Sequence, residues 1–198
     1  MFNAYFFIVL LVIPIISYIV LCVLSRNSKS KSNETGFDIA RKILDDNGLN
    51  NYIVLTKGLL VDHYDYSQRV VRLSSVVYDG TSVFAHVIAS YIAMIAVMDK
   101  EKNSHIKVRG YLVNVVKFLM IAAMITFILG LIMSYQFIEF ALCMMIVIYL
   151  YCIYSIYGTM QIIKRIKDKD SLWILYLFDF SAIVVSVISG VNDLIERR

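Results

Sequence analysis

Val83-Phe84-Ala85-His86-Val87-Ile88-Ala89-Ser90-Tyr91-Ile92-Ala93-Met94-Ile95-Ala96-Val97-Met98 is apolar almost all round, interrupted only by His86 and Ser90. A run of this length is more typical of a buried or interfacial helix than of a membrane span. If it crossed a bilayer, the lysine-rich stretch 99–109 would be carried to the opposite side from the other basic loops, against the usual bias of Lys and Arg. We therefore read 83–98 as a helix buried against a membrane bundle.

Four other runs, 3–24, 111–133, 137–160 and 172–191, are long and apolar enough to cross a membrane. The composition agrees. The chain is 60% hydrophobic and 17% charged, whereas a soluble domain is about half apolar and about a quarter charged. The first run lacks a basic leading segment, and no small-x-small cleavage site precedes Arg26, so it reads as an uncleaved anchor. Arg26 and Lys29 with Lys31, then Lys100, Lys102, Lys107 and Arg109, then Lys164, Arg165, Lys167 and Lys169 mark the inner loops. The expected organisation is an anchor (1–24), a polar Ser-rich linker (25–34), a cytoplasmic domain (35–110), a three-helix transmembrane bundle (111–191) and a tail (192–198). Both ends then fall outside, with Arg197 and Arg198 pulling weakly the other way. The fold class is mainly α and membrane-embedded, with about four spans and a small α+β domain that ends in the buried helix.

The net charge of +4 resides in these loops. It fits a surface near anionic lipid, and no basic face suited to nucleic acid is visible. Cys22, Cys143 and Cys152 lie inside predicted spans without CxxC spacing, so we expect buried apolar groups rather than a disulfide or a zinc site.

Within the domain, Thr35 has the character of an N-cap, with Asp38 three residues on as in a capping box. Phe37, Ala40, Ile43 and Leu44 follow at helical spacing, and Asn47-Gly48 supplies the stop, which predicts a helix over 36–47. Two strand-like runs, 52–56 and 59–62, precede a polar turn over 63–68 and a third strand over 70–73.

These residues are also familiar as a set. Thr35-Gly36-Phe37-Asp38-Ile39-Ala40-Arg41-Lys42-Ile43-Leu44-Asp45-Asp46-Asn47-Gly48-Leu49 resembles the start of bacterial YugP-type neutral zinc metallopeptidases. So does Leu60-Val61-Asp62-His63-Tyr64-Asp65 followed by Val70-Val71-Arg72-Leu73-Ser74, in the same order and spacing. The resemblance is detailed over 35–82 and architectural beyond. It implies that the next helix carries His-Glu-x-x-His, two imidazoles one turn apart on one zinc with a glutamate that activates the bound water. Counted from Ser82, the first His falls on Tyr91, the Glu on Ile92 and the second His on Ile95. A third carboxylate ligand is implied near 157–164, and no Glu occurs between Glu139 and Glu196. The resemblance thus carries a scaffold without its catalytic residues. Zinc is expected only if other ligands hold it.

Ala85, Ala89 and Ala93 form a stripe of small side chains, the kind of face through which membrane helices approach closely. Simple drift toward apolar residues explains the same stripe. His63, His86 and His105 share no ligand spacing. His63 is expected to order the turn with Asp62 and Asp65, and His86 with Ser90 to hydrogen-bond across a helix interface. Lys117 and Asp179 are charges inside spans at similar depth and are expected to pair. Asp45, Asp46, Asp62 and Asp65 lack the spacing of a calcium loop.

Three readings remain. The first is a catalytically dead member of the family, a scaffold or regulatory partner that associates with an active relative or another membrane protein through the alanine face. The second is a membrane zinc metallopeptidase with non-standard ligands. The third is an unrelated small transporter, against which stand spans with few polar residues beyond Asn114, Lys117, Glu139 and Asp179. The first is favoured, because an intact scaffold sits beside a missing site.

Overall fold

Thr35 caps a helix as its sequence suggests. Its hydroxyl accepts from the Asp38 N–H, and the Asp38 carboxylate accepts from the Thr35 N–H at 2.8 Å, a complete capping box. In the computed structural model, which describes residues 2–30, 32–56, 61–166, 171–182 and 184, the helix so started is α2 (Gly36–Asp46). It comes after α1 (Phe2–Asn27). Then come strands β1 (Ile53–Thr56), β2 (His63–Asp65) and β3 (Val70–Ser74), the short α3 (Ser75–Tyr78), α4 (Val83–Lys100), α5 (Ser104–Ile132) and α6 (Gln136–Ile163). Residues 174–182 are also helical.

The sheet has the order β1-β3-β2, with β1 parallel and β2 antiparallel to β3. One sequence expectation is corrected. The middle strand is His63–Asp65 rather than 59–62, because Asp65 rather than His63 opens the turn. Its carboxylate accepts from the N–H groups of Ser67 and Gln68, both at 3.0 Å. Val61 and Asp62 are irregular, and 59–60 lie outside the described residues. The short α3 is an addition.

Helix α4 is the hub. Its neighbours are α2 above all, then α3, the sheet, α1, α5 and α6. Its core residues Phe84, Ile88, Tyr91 and Ile92 pack with Leu21, Leu44, Leu73, Ile106, Ile162 and Phe178. Phe7, Val116, Met145 and Ile148 lie in a second core, between α1, α5 and α6. Among the described residues, four helices are long and apolar enough to span a membrane: Asn3–Asn27, Val83–Lys100, Ser104–Ile132 and Gln136–Ile163. The most apolar stretch of α4 is 83% buried inside the chain, against 22% to 28% for the other three. Of the fourth expected span, 172–191, residues 172–182 and 184 are described and 183 and 185–191 lie outside the described residues.

The segment after α1 is not a free linker. Val83 N–H donates to the Lys29 carbonyl and Phe84 N–H to the Ser28 hydroxyl, both at 3.1 Å, while Ser82 caps Ala85 N–H. The open donors of the first turn of α4 are thereby satisfied by Ser28 and Lys29, just past the end of α1, and by its own cap. Within α1, Pro14 has no N–H to offer the Leu10 carbonyl. Tyr149 on α6 donates to that carbonyl at 2.6 Å, a substitute for the missing helical hydrogen bond.

The cysteines differ from expectation. Cys152 is buried, Cys22 is half-buried, and Cys143 is exposed on the face of α6.

Candidate functional site

Helices α4, α5 and α6 and the 174–182 segment meet in a buried polar cluster at Tyr91. The Arg109 guanidinium donates to the Tyr91 hydroxyl at 2.6 Å and to Asp179 Oδ1 at 2.9 Å. The Tyr91 hydroxyl donates to Asp179 Oδ1 at 3.0 Å and lies 2.8 Å from Thr159 Oγ1. Thr159 donates to Asp179 Oδ2, and Ser155 reaches Asp179 Oδ1 at 3.4 Å. Each element supplies one kind of group: α4 the phenol, α5 the cation, α6 the hydroxyls and the 174–182 segment the carboxylate. Tyr91 and Thr159 are fully buried, and Arg109 and Asp179 nearly so. The Arg109 guanidinium also lies 5.6 Å over the Tyr91 ring, and Phe178 meets that ring edge-on.

Asp179 therefore pairs with Arg109, where the sequence pointed to Lys117. The difference lies in the start of α5. Asn103 Oδ1 accepts from His105 and Ile106 N–H, so the helix begins at Ser104 rather than 111. Arg109 is then five residues into α5, and Asp179 five residues beyond 174, at matching depths of about 8 Å. Lys117 is eight residues further along, about 12 Å away on the helix axis. A planar, bidentate guanidinium also suits a buried carboxylate better than a lysine does. Arg109, Ser155 and Thr159 do not stand out in the sequence as site residues. Asn103-Ser104 as an N-cap signature is the signal that points to the first of them.

The remaining expected residues separate. Ile92 and Ile95 are packed in the apolar core. Ala85, Ala89 and Ala93 are fully buried within the chain, so the small-residue face is used internally and is closed to a partner. The histidines are each engaged alone. His63 Nδ1–H donates to Val61 O at 2.8 Å, His86 Nε2–H to Glu34 O at 2.8 Å and His105 Nε2–H to Tyr154 O at 3.1 Å. His86 thus reaches the chain before α2, with no bond to Ser90. Burial of His63 holds its pKa below the ordinary value, and the Lys117 and Arg72 charges push it the same way.

The residues at the Tyr91 cluster do not fit zinc. Zinc takes three or four N, O or S donors around one point. Here a fixed cation is bonded to both the phenol and the cluster's single carboxylate, and the hydroxyl protons are spent on Asp179. Among the described residues, no three His, Cys, Asp or Glu side chains converge. Chemically the arrangement is a clamp that joins four segments.

A second buried carboxylate behaves differently. Asp62 accepts from the Ser74 N–H at 2.7 Å and the Ser74 hydroxyl at 3.0 Å. Burial outweighs those bonds and pushes it up to about 6. The folded form thus holds a proton that the unfolded chain releases near 3.8. Stability from this group is full below about 3.8 and is lost as pH rises through about 6, on the order of 2–3 kcal/mol in all. Asp62→Asn is expected to flatten the pH dependence of thermal stability between about 4 and 6. An unchanged slope in a melting series over that range would rule out Asp62 as its source.

Residues 2–160 match the family model described as "Putative neutral zinc metallopeptidase". Over 107 residues the chain is 38% identical to "Putative membrane protease YugP" of Bacillus subtilis (strain 168). That match covers 54% of this chain and 48% of the relative, so the chain spans about half the length of the curated relative it matches. No solved structure matches.

Proposed function

The chain belongs to the neutral zinc metallopeptidase family, and on that basis we propose that it is a non-hydrolysing member, a membrane scaffold or regulatory partner of another bacterial membrane protein. The observation that carries this reading is the Arg109–Asp179 ion pair bonded to Tyr91. Tyr91 is the position to which the resemblance assigns the first zinc-binding histidine. A clamp of charge and hydroxyls holds together the helices that a metal site would otherwise organise.

In this reading α1, α5 and α6 cross the membrane, as does the apolar run 172–191. Helix α4 does not cross, which its burial supports. The basic residues at 100–109 and 164–165 support a cytoplasmic position for the sheet and α2. A protein partner meets the outward faces of the bundle, because the Ala85/Ala89/Ala93 stripe is already covered. An active peptidase of the same family is one such partner.

The test is metal content of the purified, detergent-solubilised protein by mass spectrometry without added zinc, beside peptide hydrolysis with and without added zinc. The expected result is zinc well below one per chain and no hydrolysis in either condition. Stoichiometric zinc that is lost in His63→Ala, His86→Ala or His105→Ala would overturn the reading in favour of an unorthodox metalloenzyme.

A further inference from the structure

Where the start of α5 meets the end of α6, a shallow cavity of about 360 Å³ is lined by Asn103, Ser104, His105, Tyr154, Tyr157 and Gln161. Its floor is rigid. The His105 ring stacks on Tyr154 at 4.0 Å and lies so close over Gly158 that a Cβ there would sit 2.5 Å from the ring. His105 donates through Nε2 to Tyr154 O, and its Nδ1 is buried against α6 without a partner among the described residues. The ring is therefore a wall of the cavity and brings no charge to it.

Charge comes from beside it. Lys107 lies one turn from the lining residue Ser104 on α5, and Lys164, at the end of α6, lies one turn from the lining residue Gln161. Two basic neighbours are committed: Lys100 donates to the carbonyls of Asn47 and Gly48, and Arg165 pairs with Glu101. Lys107 and Lys164 are exposed and make no ion pair among the described residues. The first turn of α5 adds its positive dipole end.

An apolar track leads away from the opening. Val108, Tyr111 and Val115 on α5, and Tyr157, Ile153 and Leu150 on α6, are all exposed. They recur at helical spacing, so each set forms one face. Polar donors, two uncommitted cations and tyrosines at the base of two apolar helices match a phosphate headgroup with acyl chains running along the bundle.

We propose that this cavity binds the headgroup of an anionic phospholipid, its phosphate held by Lys107 and Lys164 with Ser104 and Gln161 as hydrogen-bond donors. The proposal rests on the reading that α5 and α6 cross the bilayer.

The test is native mass spectrometry of the full chain in detergent, titrated with phosphatidylglycerol or with phosphatidylcholine of the same acyl chains. Phosphatidylglycerol is expected to be retained preferentially. Its apparent Kd should rise about fivefold in Lys107→Gln or Lys164→Gln and about thirtyfold in the double variant. Equal retention of the two lipids, or an unchanged Kd in the double variant, would overturn the proposal. So would sn-glycerol 3-phosphate displacing the lipid at comparable concentration, which would assign the site to a soluble phosphate. Carbonate extraction of native membranes separates the premise from the site: release of the protein would remove the membrane reading itself, whatever the lipid data.

Discussion

Arg109→Met should destabilise the protein by about 3–5 kcal/mol, the cost of leaving a buried carboxylate without its cation. Asp179 is 3% exposed, and after the substitution it would keep only the hydroxyls of Tyr91, Thr159 and Ser155. Asp179→Leu should cost a similar amount, because it strands the guanidinium among aromatic and aliphatic side chains. The double variant is expected to be much less damaged than the sum of the two, since both charges leave together and the remaining groups are apolar or hydroxyl-bearing. Thermal unfolding in detergent, run as a double-mutant cycle, measures this coupling. Lys117→Met in the Asp179→Leu background provides the contrast, because Lys117 lies about 12 Å further along α5 and should show no coupling. Additive Arg109 and Asp179 effects would mean that the pair does not hold the helices together.

The second large effect is expected at Gly36. This residue begins α2, and its N–H donates to Gly80 O at 2.9 Å. A Cβ placed on it would lie 2.0 Å from the Val77 carbonyl oxygen and 3.0 Å from the carbonyl carbon. Those are backbone atoms of α3, and Val77 itself is fully buried, so the obstacle has no rotamer to change. Gly36→Ala should therefore cost at or above the upper end of the usual overpacking range, about 3 kcal/mol, even though alanine is the better helix former. The capping box at Thr35 and Asp38 stays intact in this variant, so the loss can be assigned to the α2–α3 approach. A melting temperature equal to that of the unmodified protein would show that α2 and α3 are not packed this closely.

Local signals in this chain are legible where they are carried by neighbours in sequence. Thr35 and Asp38 sit three residues apart and specify the start of α2. Asn47-Gly48 specifies its end, and Gly48 adopts the left-handed conformation at φ 63°. The apolar runs mark α1, α5 and α6, and the even hydrophobicity of 83–98 marks a buried helix. The Tyr91 cluster is legible only in part. Asp179 stands out as a carboxylate in an apolar run, but its partner is missed because Ser104–Arg109 reads as a polar loop. Thr159 and Ser155 carry no sequence signal, since hydroxyls in apolar helices commonly bond to their own backbone. The alanine stripe is visible as spacing, yet spacing does not say which helix covers it.

Residue type at short range and bulk hydropathy were enough to establish the class of the protein, the capped helix α2, the family scaffold and the absence of His-Glu-x-x-His at 91–95. Which groups meet was settled only in the folded chain: Arg109 with Asp179 across 70 residues, Tyr91 with Thr159 across 68, and β1 in parallel with β3. Such pairings depend on helix start points and on burial shared among distant segments, and a shift of one helix start is enough to exchange an arginine for a lysine as the partner of a buried charge.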